Sequence, residues 1–532
     1  MSNKEKLYFN GDILTLEDEL YTEAVLIKGR KIDKLGKKED LLKEASKDVE
    51  IINLQGKTLM PSFIDAHSHF SGYASSFTQV DLGEAVSFEE IVDAIQRFIK
   101  KNNIPAGMWI QANGYDQSYL EEKSHPTKAV LDKAAPNNPL IVKHKSGHMG
   151  VLNTIGINDL GITVDTPSPE GGVIEKKDGE VTGYLEENTY INYIQSIPVV
   201  SNEEFMETLL KAQCAYASYG ITTVQEGMVV DVLADIFQYL IQSKLLKIDL
   251  IGYLDIMNAE LLKEKFANCI QRYDNHVKMG GYKTFLDGSP QGRTAWMRTP
   301  YLGKEKDYYG YGVQKDEEIE SKLEKALRED MQILVHCNGD AASQQFIDQY
   351  EVAKERTHSN NNIRPVMIHA QLLAEDQLDD LKALGIMPSF FVAHVYYWGD
   401  VHIKNYGMER ASKISLAKSA QDKGILYTFH QDSPVIEPNM LETIWCAVNR
   451  ITKNGVLLGE EERVSPLDAL KAVTKNAAYQ YFEEDIKGTL KEGKLADLVI
   501  LDKNILKVDP MEIKDIQVLE TIKEGETIFK KQ

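Results

Sequence analysis

Residues 59–70 read LMPSFIDAHSHF, an apolar, β-rich run that closes on two histidines with one residue between them. Alternation along a strand places His67 and His69 on one face, where both rings can converge on a single cation. A lone histidine beside a core is ordinarily just a hydrogen-bonded core residue. The weight of this pair therefore depends on what lies outward from it.

Upstream, KLYFNGDILTL, YTEAVLIKGRKIDKLG and DVEIINLQGKTLM are short β-rich runs broken by Asn-Gly and Lys-Gly turns. The far end of the chain returns to the same texture in GTLKEGKLADLVILDKN and IKDIQVLETIKEGETIF. Residues 1–57 and 486–532 are therefore expected to build one small composite β-sandwich domain, and residues 58–485 a second domain.

Downstream of Leu59 the texture becomes apolar strands alternating with amphipathic helices. Eight strand candidates emerge: LMPSFIDA, ITTVQEG, DLIGYLDI, YKTFLDG, QILVHCNG, PVMIHAQ, IMPSFFVA and ILYTFHQD. Helical stretches at 203–219, 231–244, 316–330, 341–356, 375–384 and 439–452 separate many of them. Buried strands joined by helices predict an α/β protein with a parallel sheet, and eight of them predict a closed (β/α)8 TIM barrel. An open doubly wound sheet is the competitor, but no G-x-G-x-x-G stands at a strand-to-helix turn.

The interval 72–201 is too long for one strand-to-helix connection. It carries its own strands, MWIQANGYD and PLIVKHKSG, and a hairpin, GGVIEKKDGEVTGYLEEN. It reads as an insertion after the first barrel strand, and loops in that position lie at the catalytic face. It is expected either to wall the site as a lid or to be plain structural decoration.

The chain has 532 residues, 43% of them hydrophobic and 27% charged, with a formal net charge of −21. Such a surface argues against nucleic-acid and anionic-membrane binding and leaves a small-molecule substrate as the expected partner. Cys214, Cys269, Cys337 and Cys446 are widely spaced, which predicts neither a disulfide framework nor a thiolate zinc site. No window reaches the length of a membrane span, and the N-terminus lacks a signal-like apolar stretch, so cytoplasmic residence is the default expectation.

His336 in QILVHCNGD, His369 in PVMIHAQLL and Asp432 in ILYTFHQDSP each close an apolar run, as His67 and His69 do. Five possible ligands thus fall at the carboxyl ends of the first, fifth, sixth and eighth strand candidates, the rim where barrel enzymes assemble their sites. Lys283 lies inside the fourth candidate, on the face shared with Phe285 and Asp287. A buried ammonium is costly unless it is paired or its charge is changed. It is therefore either a salt-bridged lysine or one whose amine has taken up CO2 as a carbamate.

Taken together, MPSFIDAHSHF, GYKTFLDGSPQGRTA, VHCNGDAA, IHAQLL, FHQDSPV, DALKAVTKNAA and GTLKEGKLADLVILD resemble the amidohydrolase superfamily. Over nearly the full length the chain is similar to its amidohydrolase-family-3, YtcJ-like branch. The resemblance implies a metal-bearing (β/α)8 barrel flanked by a β domain from both chain ends, and a homodimer as the expected assembly. It implies that His67, His69 and Asp432 hold one divalent cation, with zinc expected, and that His336 and His369 hold a second where two are present. A carbamate on Lys283 and a hydroxide would then bridge the pair. Glu226, ending ITTVQEG, is an alternative bridge, and one or two metals remain open.

Such a centre would activate water and polarise a carbonyl, with Asp432 carrying the proton to a leaving nitrogen. The expected reaction is hydrolysis of a C–N bond in a linear or cyclic amide. Arg293, in SPQGRTAWM, is expected to hold a substrate carboxylate or an oxyanion. His148 in the insertion, and His394 and Trp398 after the seventh strand, are expected substrate contacts. His430 is expected either beside the metal ligands or in a structural role. Two rivals stand: a single-metal deaminase of a heterocyclic amine, and a non-catalytic binding or regulatory protein on the same fold. The first meets Cys337, Asn338, Gly339 and Asp340 after His336, where its glutamate proton shuttle would be expected.

Overall fold

The computed structural model describes residues 4–197, 202–303 and 307–532. Both chain ends meet in one eight-stranded sheet, in which Thr58–Pro61 runs antiparallel to Leu498–Leu501. Tyr8, Ile13, Val25, Ile32, Leu59, Leu498, Ile500 and Ile522 form its buried core, so the apolar faces of the two ends need each other.

The run that opens the fold divides at Ser62. The Ser62 N–H donates to Asp497 O of the terminal sheet at 3.0 Å, whereas the next N–H, from Phe63, donates to Gly220 O at 2.9 Å. LMPSFIDA is therefore two strands rather than one, and only its second half enters the central sheet.

That central sheet has eight parallel strands in chain order: β1 Phe63–Ile64, β2 Ile221–Val229, β3 Asp249–Asp255, β4 Val277–Phe285, β5 Gln332–Cys337, β6 Val366–His369, β7 Met387–Phe390 and β8 Thr428–Phe429. Each strand candidate contributes one of them. The sheet curls until its two edges meet at the carboxyl rim. There the Asp432 N–H donates to His67 O at 3.2 Å and the His69 N–H to Ser433 O at 2.8 Å. The intervening helices follow their sequence patterns. Asp316–Arg328, for example, opens on Asp316, Glu317 and Glu318, ends near Lys325 and Arg328, and buries Ile319, Leu323, Ala326 and Leu327. Acidic start and basic end complement the helix dipole, and the 4-3-1 spacing turns one face to the sheet.

Between β1 and β2 the insertion forms a separate six-stranded sheet that includes Ile110–Tyr115, Leu140–His144 and the hairpin Gly172–Lys177/Glu180–Glu187. It has its own core, built on Ile91, Ile95, Leu131, Leu140 and Val142. At the opposite, amino end of the central sheet, Asp249 opens β3 and receives Lys487 Nζ at 2.5 Å and Lys523 Nζ at 2.6 Å. These buried ion pairs fasten the terminal sheet to the base of the central one.

Candidate metal centre

His67 follows β1 and is buried, with its Nδ1 2.5 Å from Gln225 Oε1 on β2. The Gln225 amide nitrogen donates to Ala66 O (2.8 Å) and to Tyr481 Oη (2.9 Å), which fixes Oε1 toward the histidine. An amide oxygen only accepts, so Nδ1 carries the proton and Nε2 keeps a free lone pair. That Nε2 lies 3.4 Å from Asp432 Oδ1, and His69 Nε2 lies 3.5 Å from the same oxygen. Ligand atoms bound tetrahedrally at about 2.0–2.1 Å stand roughly 3.3–3.4 Å apart, so the three donors fit one small divalent cation.

The state of Asp432 supports that fit. Its Oδ1 is buried and has no hydrogen-bond partner among the described residues. A carboxylate oxygen left so is expensive in the absence of a positive partner. Asp432 (φ 56°) and His369 (φ 72°) also hold left-handed backbone conformations, strain of the kind that collects at working sites.

A second pair abuts the first. His336 Nδ1 on β5 and His369 Nε2 on β6 are 3.0 Å apart, and His369 Nε2 is 4.0 Å from Asp432 Oδ2. Their outer nitrogens are engaged. His369 Nδ1 meets His430 Nε2 at 3.1 Å, His430 Nδ1 meets Ser389 Oγ at 3.0 Å, and His336 Nε2 meets Asn338 Nδ2 at 3.0 Å. His430 thus supports a ring of the centre from behind. Burial first, and neighbouring positive groups second, push His67, His336, His369 and His430 well below the usual imidazole range. The neutral ring so favoured is the form that binds cations.

Lys283, on β4, is buried with Nζ 3.4 Å from His67 Nε2. Burial lowers its pKa to about 8, against the pull of Asp432. Among the described residues no carboxylate oxygen lies within 4.0 Å of its Nζ, although Asp432 is near enough to act on it electrostatically. Glu226, near the end of β2, places Oε1 3.7 Å from His69 Nδ1 while its Oε2 accepts the Ser71 N–H at 2.7 Å. Asp287, beyond β4, accepts backbone N–H groups of Asn338, Gly339 and Trp296, fixing the loop after β5.

These groups open on one cavity of about 390 Å³. His69, Glu226, Lys283, His336, His369 and Asp432 form its floor, and His148 with Lys145 and Tyr190 from the insertion forms its wall. The insertion therefore walls the site. His148 Nδ1 lies 2.8 Å from Glu187 Oε2, and the two carry a charge pairing that raises the basicity of the ring against the cost of its burial.

Three expected substrate contacts lie elsewhere. Arg293 lines a separate cavity of about 540 Å³ with Asp116, Lys404 and Lys453, its guanidinium 5.3 Å from the Tyr301 ring centre. Arg293 itself stands in a left-handed backbone conformation (φ 64°). His394 and Trp398 are 4% and 1% exposed and face the interior. His394 Nδ1 meets His402 Nε2 at 3.0 Å, and Trp398 Nε1 donates to Asp116 Oδ2 at 2.8 Å, tying the helix after β7 to the insertion. Conversely, Gln225, Asn338 and Glu187 are part of the site and were not singled out from sequence. Gln225 adjoins Glu226 at a strand end and was legible in principle, whereas Glu187 lies in an insertion hairpin without a local signal.

Residues 50–529 match the Amidohydrolase family. The chain belongs to that family. Among relatives of this amidohydrolase, YtcJ of Bacillus subtilis strain 168, which is named as an amidohydrolase, is 28% identical over 542 residues, with 99% of each chain covered. The N-substituted formamide deformylase of Arthrobacter pascens is 26% identical over 541 residues, with 98% of each covered. A crystal structure of an uncharacterized metal-dependent hydrolase from Pyrococcus horikoshii OT3 superposes with a TM-score of 0.77 at 26% identity, covering 95% of this chain and 99% of that one. Membership and likeness support a general hydrolase role with a divalent metal and a small-molecule substrate. No helix among the described residues is long and apolar enough to cross a membrane.

Proposed function

We propose that this amidohydrolase cleaves the C–N bond of an amide or cyclic amide, with His67, His69 and Asp432 holding a divalent cation, zinc for preference. The observation that carries the reading is the buried, unpartnered Asp432 Oδ1 between the Nε2 atoms of His67 and His69. His336 and His369 are the ligands for a second cation. The metal centre supplies Lewis acidity toward the acyl oxygen and acidity to the attacking water. Asp432 takes the water proton on a carboxylate oxygen and hands it to the departing nitrogen. His430 and Gln225 hold the rings of His369 and His67 in place, and the insertion shields the reacting bond from bulk water.

Lys283 is the proposed bridge as its carbamate. The reaction consumes a neutral amine, and a lysine brought down to about 8 by burial supplies one near neutral pH. Glu226 is the alternative bridge, because its Oε1 lies on the same side as His69. Ile191, Ile194, Val230, Leu233 and Val435 give the cavity an apolar side, beside polar lining from Asn113, Ser146 and Gln195, so the substrate carries an apolar substituent. The deciding experiment is metal and intact-mass analysis of the native protein, followed by a screen of amides and esters. Stoichiometric metal, a carboxyl adduct on Lys283 and turnover of amides are expected. Metal-free protein that turns over no amide even after metal addition would leave a binding role instead.

A further inference from the structure

The insertion brings one titratable pair to the cavity that the proposed chemistry does not use. His148 follows the strand Leu140–His144 in a tight loop, in which the Lys145 N–H donates to Tyr115 O at 2.8 Å and the Gly147 N–H to His144 O at 3.0 Å. Its ring centre lies 5.2 Å from that of His336, and it lines the same cavity as His336, His369 and Asp432. Glu187 holds it twice: Oε2 meets Nδ1 at 2.8 Å, and the Glu187 N–H donates to His148 O at 2.8 Å.

Glu187 is costly to keep there. Its backbone is left-handed, with φ 49° and ψ −127°, a conformation that a glycine would take with less strain. Its side chain is buried, and Oε1 has no hydrogen-bond partner among the described residues. Gly288, directly after Asp287, leaves room for it: a Cβ there would come within 2.0 Å of Glu187 Oε1. A merely structural residue at this point would not need a strained backbone, a buried charge and a glycine opposite.

A carboxylate oxygen accepts, so in the neutral ring Nδ1 of His148 bears the hydrogen and Nε2 presents a lone pair. Among the described residues Nε2 has no hydrogen-bond partner, and it is not a sealed atom, so it is open to the cavity. We propose that His148 Nε2 accepts the N–H of the scissile amide, with Glu187 as the positioning residue that fixes the tautomer. The site then selects amides that keep a hydrogen on nitrogen over N,N-disubstituted amides. This deepens the amide reading given above and rests on it for the nature of the bond. On a disubstituted amide the lone pair would face a carbon substituent and lose its donor, a penalty of about tenfold or more.

The test compares N-phenethylformamide with its N-methyl derivative on the metal-loaded full-length protein at about pH 9, where the His148 ring, made more basic by Glu187, is in its neutral form. The preference is read as the ratio of kcat/KM where the formamides are hydrolysed, and as the ratio of Kd by calorimetry where they are not. A preference of about tenfold or more for the N–H compound is expected in the wild type. Replacing Glu187→Gln lets an amide N–H donate to Nδ1 and flips the tautomer, so the ratio should fall to about one with the thermal midpoint little changed. His148→Phe should do the same, and His148→Gln, whose amide oxygen can accept, should restore part of the preference. A ratio near one in the wild type, no binding of either compound, or an unchanged ratio in both E187Q and H148F overturns the proposal. Preferential binding of the N–H compound without turnover would instead count against hydrolysis while leaving this selectivity intact.

Discussion

Asp249 at the amino end of β3 and Asp432 beyond the carboxyl end of β8 are both aspartates packed among cationic or basic groups, at opposite ends of one parallel sheet. Around Asp249 both oxygens are engaged: Lys487 and Lys523 meet Oδ2, and His276 Nδ1 meets Oδ1 at 2.7 Å. Lys523 also pairs with Asp497 at 2.7 Å, and Lys487 with Glu483 at 2.8 Å. Around Asp432 the partners are the imidazoles of His67 and His69 at 3.4 and 3.5 Å, and Oδ1 is left without a hydrogen-bond donor among the described residues. Asp249, His276 and Glu524 lie close enough together to resemble a cation site, as do His67, His69 and Asp432. The lysines decide between them. A base whose charges are already matched has no use for a cation, whereas at the rim three ligand atoms converge and, among the described residues, no lysine or arginine pairs with Asp432 within 4.0 Å.

Substitutions at the two ends should therefore fail in different ways. The largest effect is expected from Asp432→Asn, which should lower kcat by about 100-fold to 10,000-fold while the urea midpoint barely moves. Wild-type turnover in that variant would remove Asp432 from the chemistry. Asp249→Ala should do the reverse, destabilising the fold by about 3 kcal/mol because two buried ammonium groups lose the carboxylate they share and keep only Asp497 and Glu483. Equilibrium unfolding would show this, and metal content per folded chain should remain that of the wild type.

Gln225→Leu should weaken metal affinity by about 10-fold to 100-fold, measured by competition with a chromogenic chelator, since His67 would lose the partner that fixes its tautomer. An unaltered affinity would mean that packing alone orients the ring.

The smallest effect is in acid. His67, His336 and His369 have folded-state pKa values below their unfolded ones, so the unfolded chain binds more protons as pH falls below about 6.5. Metal-free protein should accordingly lose stability from about pH 6.5 downward. Asp249 is held below the ordinary carboxylate range by Lys487 and Lys523, which outweigh the effect of its burial. Its contribution is present above the unfolded carboxylate pKa and is lost only on further acidification, below about pH 4. Thermal midpoints across pH should show two separate losses, and Asp249→Asn should erase only the lower one.

Much of the rim was legible beforehand because it is written in local pattern. His67, His69, His336, His369 and Asp432 each end an apolar strand, and parallel strands in chain order deliver their carboxyl ends to one edge. Arg293, His394 and Trp398 were less legible. Each follows a strand end too, but Arg293 lines a separate cavity, and His394 and Trp398 are buried, Trp398 against Asp116 of the insertion. Neither feature has a short-range signature.

The sequence by itself determined the alternation of strands and helices, the joining of both chain ends in one sheet, and which histidines and aspartate stand at the carboxyl rim. Periodicity and strand-end position are properties of neighbouring residues. Tertiary structure alone decided that LMPSFIDA divides at Ser62, that Gln225 holds His67, and that Glu187 reaches His148 at the cavity wall. Those contacts join segments 39 to 435 residues apart, and only the packing of whole sheets against one another brings such segments within hydrogen-bonding distance.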